Sequence, residues 1–83
     1  MATSTQADPA LAAALRRLRG EHGLTQEDLA FKANITVSAL SRIERGASNP
    51  VWTSIHTLLT ALDTDLHGLA TVIEEHEETI PRV

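Results

Sequence analysis

The sequence predicts an all-α fold of five short helices, and three observations carry that prediction. Apolar residues recur at three- and four-residue spacing along most of the chain. The first three periodic stretches each open on a residue that caps helix N-termini and close on one that tolerates left-handed backbone. Only Phe31 and Trp52 are aromatic, so the core must be built from Leu, Ile, Val and Ala, a composition suited to packed helices rather than a β-sandwich.

The first helix opens at Asp8-Pro9, an acceptor at the cap with proline at the first helical position. Its stripe is Leu11, Ala14, Leu15 and Leu18. The stretch Gly20-Glu21-His22-Gly23 closes it, with Gly23 placed for a left-handed cap. The second opens with Thr25-Gln26-Glu27-Asp28, in which Thr25 and Asp28 can satisfy each other's backbone donors. It continues through Leu29, Ala30 and Ala33 and stops at Asn34. Only Ile35 separates Asn34 from Thr36, the cap of a third helix that faces inward through Leu40 and Ile43 and ends at Gly46. Two helices joined by so short a turn cross steeply, which is the helix-turn-helix unit.

A polar loop, Ala47-Ser48-Asn49-Pro50, leads to a fourth helix with Trp52, Ile55, Leu58, Leu59 and Leu62 on its apolar face. Asp63-Thr64 makes the next turn. Asp65 then caps a fifth helix carrying Leu66, Leu69, Val72 and Ile73. The organisation expected is a disordered leader over residues 1–7, one domain over 8–73 with its motif at about 25–45, and over 74–83 an acidic C-terminal end with a loose tail from Thr79 to Val83.

Composition narrows the function classes. With no cysteine there is neither a disulfide framework nor a thiolate metal site, which fits a cytoplasmic setting. No apolar run reaches the length of a membrane span, and Met1 to Ala7 lack the pattern of a signal peptide. The net charge of −4 is unevenly placed. Residues 1–60 hold Arg16, Arg17, Arg19, Lys32, Arg42 and Arg45 against Asp8, Glu21, Glu27, Asp28 and Glu44. Residues 61–83 set Arg82 against Asp63, Asp65, Glu74, Glu75, Glu77 and Glu78, so the acidity sits at the C-terminal end. That balance argues against strong non-specific DNA binding. His22, His56, His67 and His76 fall on different segments without paired ligand spacing, so no metal is expected, and no cofactor. No Gly-x-Ser-x-Gly elbow or glycine-rich phosphate loop occurs, and no catalytic residue is assigned.

The stretch from Gln26 to Arg45 resembles the core motif of the Cro/phage-repressor-type helix-turn-helix family, also called the XRE family. The run Ser41-Arg42-Ile43-Glu44-Arg45-Gly46, followed by Asn49-Pro50, is among its most specific local signatures. The likeness covers about residues 11–70. It implies a lambda-repressor-like domain whose second and third helices form the DNA-binding unit. Asn34 stands where the family usually has glycine, Val51 where it has a capping Ser or Thr, and Asp63-Thr64 where it has glycine and an apolar residue.

The resemblance turns a polar helix face into a reading surface. Thr36, Val37, Ser38, Ser41 and Arg42 line the exposed N-terminal side of the third helix, with Arg42 able to contact guanine in two places and Val37 able to meet a thymine methyl. Gln26, at the start of the second helix, is a phosphate candidate and by resemblance braces the start of the recognition helix. Arg45 and Lys32 are further phosphate candidates, as are Arg16 and Arg17. Arg19 and Glu44 are expected, again by resemblance, to form a structural ion pair that ties the first helix to the third and holds Arg19 near the DNA backbone. Phe31 lies off the core stripe and is a candidate partner contact. The expected partners are a double-stranded DNA operator and a second copy of the chain, the homodimer forming through Leu69, Val72 and Ile73. An alternative, favoured by the acidic end, is an antitoxin-like or adaptor protein that mainly holds a protein partner.

Overall fold

A computed structural model describes residues 8–79, with side chains through Glu75. The leader over residues 1–7 and the tail beyond Thr79 lie outside the described residues. Five helices follow one another: α1 (Pro9–Glu21), α2 (Gln26–Ala33), α3 (Val37–Glu44), α4 (Trp52–Ala61) and α5 (Leu66–Thr79). The described residues contain no strand. α1 packs against α3 and α5, and α2 packs against α3 and α4.

Local chemistry sets most of the boundaries. The Asp8 carboxylate accepts from the Ala10 amide at 2.9 Å with Pro9 in the first turn, and Gly23 takes a φ of 65° after α1. At α2 the capping box is complete: Thr25 accepts from the Asp28 amide at 3.0 Å, and Asp28 accepts from the Thr25 amide at 3.2 Å. Asn34 ends α2 with φ 59° and ψ 44°, and the Ile35 amide reaches back to the Ala30 carbonyl at 3.0 Å. Thr36 then caps α3 by accepting from Ala39 at 3.0 Å. Ala30 is buried in the core. Val51 precedes α4 without a side-chain cap, whereas Asp65 caps α5 by accepting from the Gly68 amide at 2.9 Å.

Leu15, Leu29, Leu40, Leu58 and Leu62 are fully buried and form the centre of the core. Each contributes about 1.5–3 kcal/mol by leaving water. Two expectations about the core are corrected. Trp52 does not join it: the indole is 58% exposed and lies against His56, ring centroids 6.3 Å apart. Leu69 and Val72, expected to await a second chain, belong to the core of the single domain, and Ile73 packs half-buried against it. α5 packs against α1, and its Leu69 and Val72 reach the core directly. α5 also runs beyond Ile73 to Thr79, so Glu74 and Glu75 are helical.

Candidate nucleic-acid interface

The short turn at Asn34 and Ile35 places α3 across α2 with one long side open to solvent. Leu40 and Ile43 face inward. Thr36, Val37, Ser38 and Arg42 are exposed, Ser41 is half-buried, and Arg45 is exposed at the cap that follows. The open side therefore combines two cations, hydroxyl groups that donate or accept, and the Val37 methyls, the groups that distinguish base edges in a major groove. Lys32 is exposed in the last turn of α2.

Beneath this face lies Glu44, the one buried charged residue among the described residues, only 1% exposed. A carboxylate so placed needs donors for its lone pairs. Arg19 supplies two, from Nε to Oε2 at 2.8 Å and from Nη2 to Oε1 at 3.0 Å. Gln26 supplies a third, from Nε2 to Oε1 at 2.9 Å. The remaining arm of Arg19, Nη1, donates to the Leu24 carbonyl at 2.9 Å. Hydrogen bonding to Glu44 raises the Arg19 pKa above its ordinary value. One carboxylate thus gathers α1, the start of α2 and the end of α3.

This arrangement revises several expected roles. Gln26 braces the end of α3 through Glu44, not its start, and its amide nitrogen is committed there rather than pointed at a phosphate. Arg19 spends three donors inside the protein, which makes it a brace before it is a DNA contact. Arg16 donates to the Glu44 main-chain carbonyl. Arg17 bridges Glu21 at 3.0 Å and Glu75 at 2.8 Å, joining α1 to α5. Arg16 and Arg17 both remain exposed while making these bonds. Part of the acidic end is likewise used internally, through Glu75. Sequence reasoning missed the bonds that Arg16 and Gln26 make to Glu44, although a signal existed for the first. Arg16 and Arg19 lie one turn apart on α1, so whatever holds Arg19 also stands near Arg16.

Phe31 is 87% exposed on α2. A concavity of about 300 Å³ is lined by Trp52, His56, Leu59, Thr60, Thr64, Asp65 and Leu66. Among the described residues, no three His, Cys, Asp or Glu gather as a metal site, and no helix is long and apolar enough to cross a membrane.

Comparison with known proteins agrees with this geometry. A family profile described as a helix-turn-helix domain matches residues 10–72. The HTH-type transcriptional regulator DdrOP3 of Deinococcus deserti is 38% identical over 60 residues, 72% of this chain and 46% of that protein. The chain thus spans under half the length of that relative. The HTH-type transcriptional regulator y4dJ of Sinorhizobium fredii, itself uncharacterised, is 37% identical over 71% of this chain and 77% of its own length. Among solved structures, the restriction-modification controller protein C.AhdI of Aeromonas hydrophila superposes with a TM-score of 0.71 at 38% identity, covering 74% of this chain and 92% of that one. The wild-type controller protein C.Esp1396I gives a TM-score of 0.80 at 25% identity, covering 86% and 93%.

Proposed function

Because the chain belongs to the Cro/phage-repressor-type (XRE) helix-turn-helix family, we propose that it is a non-enzymatic transcription regulator that reads an operator by placing α3 in the major groove. The observation that carries the reading is the division of labour on α3. Its outer side is free and chemically varied, while its inner end is locked by the Glu44 network. A reading helix must hold its side chains in fixed register, because base edges are distinguished by hydrogen-bond direction. Arg42 reads a base in this scheme, Ser38 and Ser41 supply adaptable hydroxyls, and Val37 supplies the apolar contact. Arg45 holds a phosphate. Selection of duplexes from a randomised pool tests the reading. Arg42→Ala should weaken the selected duplex by about 1–3 kcal/mol and relax selectivity at one base pair per half-site. If affinity and selectivity both survive, α3 is not the reading element.

One such helix spans too few base pairs for useful selectivity, so the operator is read by a homodimer on a pseudo-palindrome with half-sites about 34 Å apart. The face assigned to the dimer differs from the one expected from sequence, since Leu69 and Val72 are already covered. Trp52 and Leu66, exposed by 58% and 51%, flank the concavity at the start of α4 and α5 and offer a self-complementary apolar patch. Leu66→Asp should give a folded monomer in sedimentation, whereas Val72→Asp should unfold the chain. A Leu66→Asp variant that still dimerises removes this face from consideration.

A further inference from the structure

An α-helix leaves its last four carbonyls without donors from its own turns. In α3 these belong to Ser41, Arg42, Ile43 and Glu44. Amides after the helix take three of them: Arg45 donates to Ser41 at 3.0 Å, Ala47 to Arg42 at 2.9 Å and Gly46 to Ile43 at 3.1 Å. The fourth carbonyl, that of Glu44, accepts from the Arg16 guanidinium. α1 therefore grips Glu44 twice, its side chain through Arg19 and its main chain through Arg16.

Arg16 is also one of a row on α1, spaced four residues apart and so on a single side of the helix. One turn earlier, Ala12 lies under Gly46, where a Cβ added to the glycine would meet the Ala12 methyl at 3.9 Å. One turn earlier again, the Asp8 amide donates to Asn49 Oδ1 at 3.0 Å. Positions 8, 12 and 16 thus track the segment between α3 and α4 from its beginning at Glu44 to Asn49. That segment carries Arg45, assigned above to a phosphate.

We infer that Arg16 is a positioning residue, which completes the C-terminus of α3 and sets the phosphate-facing loop in place from behind. A cation at the negative end of a helix dipole is stabilised there, and the guanidinium meets the one carbonyl the backbone leaves over. The inference rests on the DNA-binding reading, yet half of its test needs no DNA.

The test compares wild type with Arg16→Ala, Arg16→Lys and Arg45→Ala in two measurements. The first is amide hydrogen exchange of the free protein. Arg16→Ala should speed exchange at Arg45, Gly46 and Ala47, and Arg16→Lys, which keeps an N–H donor, should restore protection. The second is affinity for a duplex selected by the wild-type chain, followed between about 50 and 200 mM salt. Arg16→Ala should bind about two- to five-fold more weakly at every salt concentration, with the salt slope unchanged. Arg45→Ala, by contrast, should lower the slope by about 0.9, the value of one phosphate contact. A slope change of that size in Arg16→Ala would show a phosphate ligand and overturn the inference. Unchanged exchange in Arg16→Ala would overturn it as well. Failure of the wild-type chain to select any duplex would instead sink the DNA-binding reading, while the exchange result would still decide the capping role.

Discussion

Removing either member of the Arg19–Glu44 pair should destabilise the domain, and the two losses should be unequal in a direction the structure fixes. Glu44→Ala takes away the acceptor of three hydrogen bonds. The group left behind is the Arg19 guanidinium, whose side chain is 22% exposed and which keeps its bond to the Leu24 carbonyl. Water can reach it, so the cost should sit near the lower end of the range for a broken buried pair, about 3 kcal/mol. Arg19→Ala strands the carboxylate instead. Its side chain is 1% exposed and retains only Gln26 among the three side-chain donors, so the loss should approach about 5 kcal/mol. Against the roughly 4–12 kcal/mol expected for a domain of this size, either loss is large. Urea unfolding of the two variants and of the double variant is the assay. The double variant should lose less than the two single losses combined, because it leaves no unpaired charge. If both single losses fall under about 1 kcal/mol, the pair behaves as a surface contact and the brace does not exist. If Glu44→Ala proves the more damaging, exposure of the stranded group does not govern the cost.

Two further outcomes follow from the helix ends. Val51 leaves the start of α4 without a side-chain cap while being 68% exposed, so Val51→Ser should stabilise the domain by about 1 kcal/mol in thermal unfolding, and no gain would mean that water already serves those amides. The Thr25 backbone and hydroxyl hold the Asp28 carboxyl below its ordinary value of 3.8. A lowered folded-state value means stabilisation that is complete above the ordinary value and is lost as pH falls through the lower one. Asp28→Asn should therefore flatten the fall of the unfolding midpoint below about pH 4, and an acid limb as steep as the wild type's would exclude the capping box as a contributor.

Helix starts and the leucine core were legible in the sequence because each is decided within one or two turns. Thr25 needs only Asp28, Thr36 needs only the Ala39 amide, and Asn34 needs only the turn it makes. What periodicity does not carry is how far along a helix its neighbour extends. Trp52 shares the apolar spacing of Ile55 and Leu59, yet stands in the first turn of α4, where its ring remains exposed. Leu69 and Val72 fail in the opposite sense. Counting apolar residues made them surplus to a small core, but α5 packs against α1 and both side chains are buried in that core. The interior polar network lies furthest from one-dimensional reading, since Gln26, Arg16 and Glu44 are joined across 18 and 28 residues of chain. The two kinds of information meet at α3. Its outer face is a set of residues that the sequence displays directly. Its end is held by α1 through Arg19, expected by resemblance, and through Arg16, which looks from sequence like an ordinary surface cation. On the proposed DNA-binding reading, a change in recognition can therefore arise on α1, at residues away from the bases, and such a change should move affinity for all sequences together while leaving base preference intact.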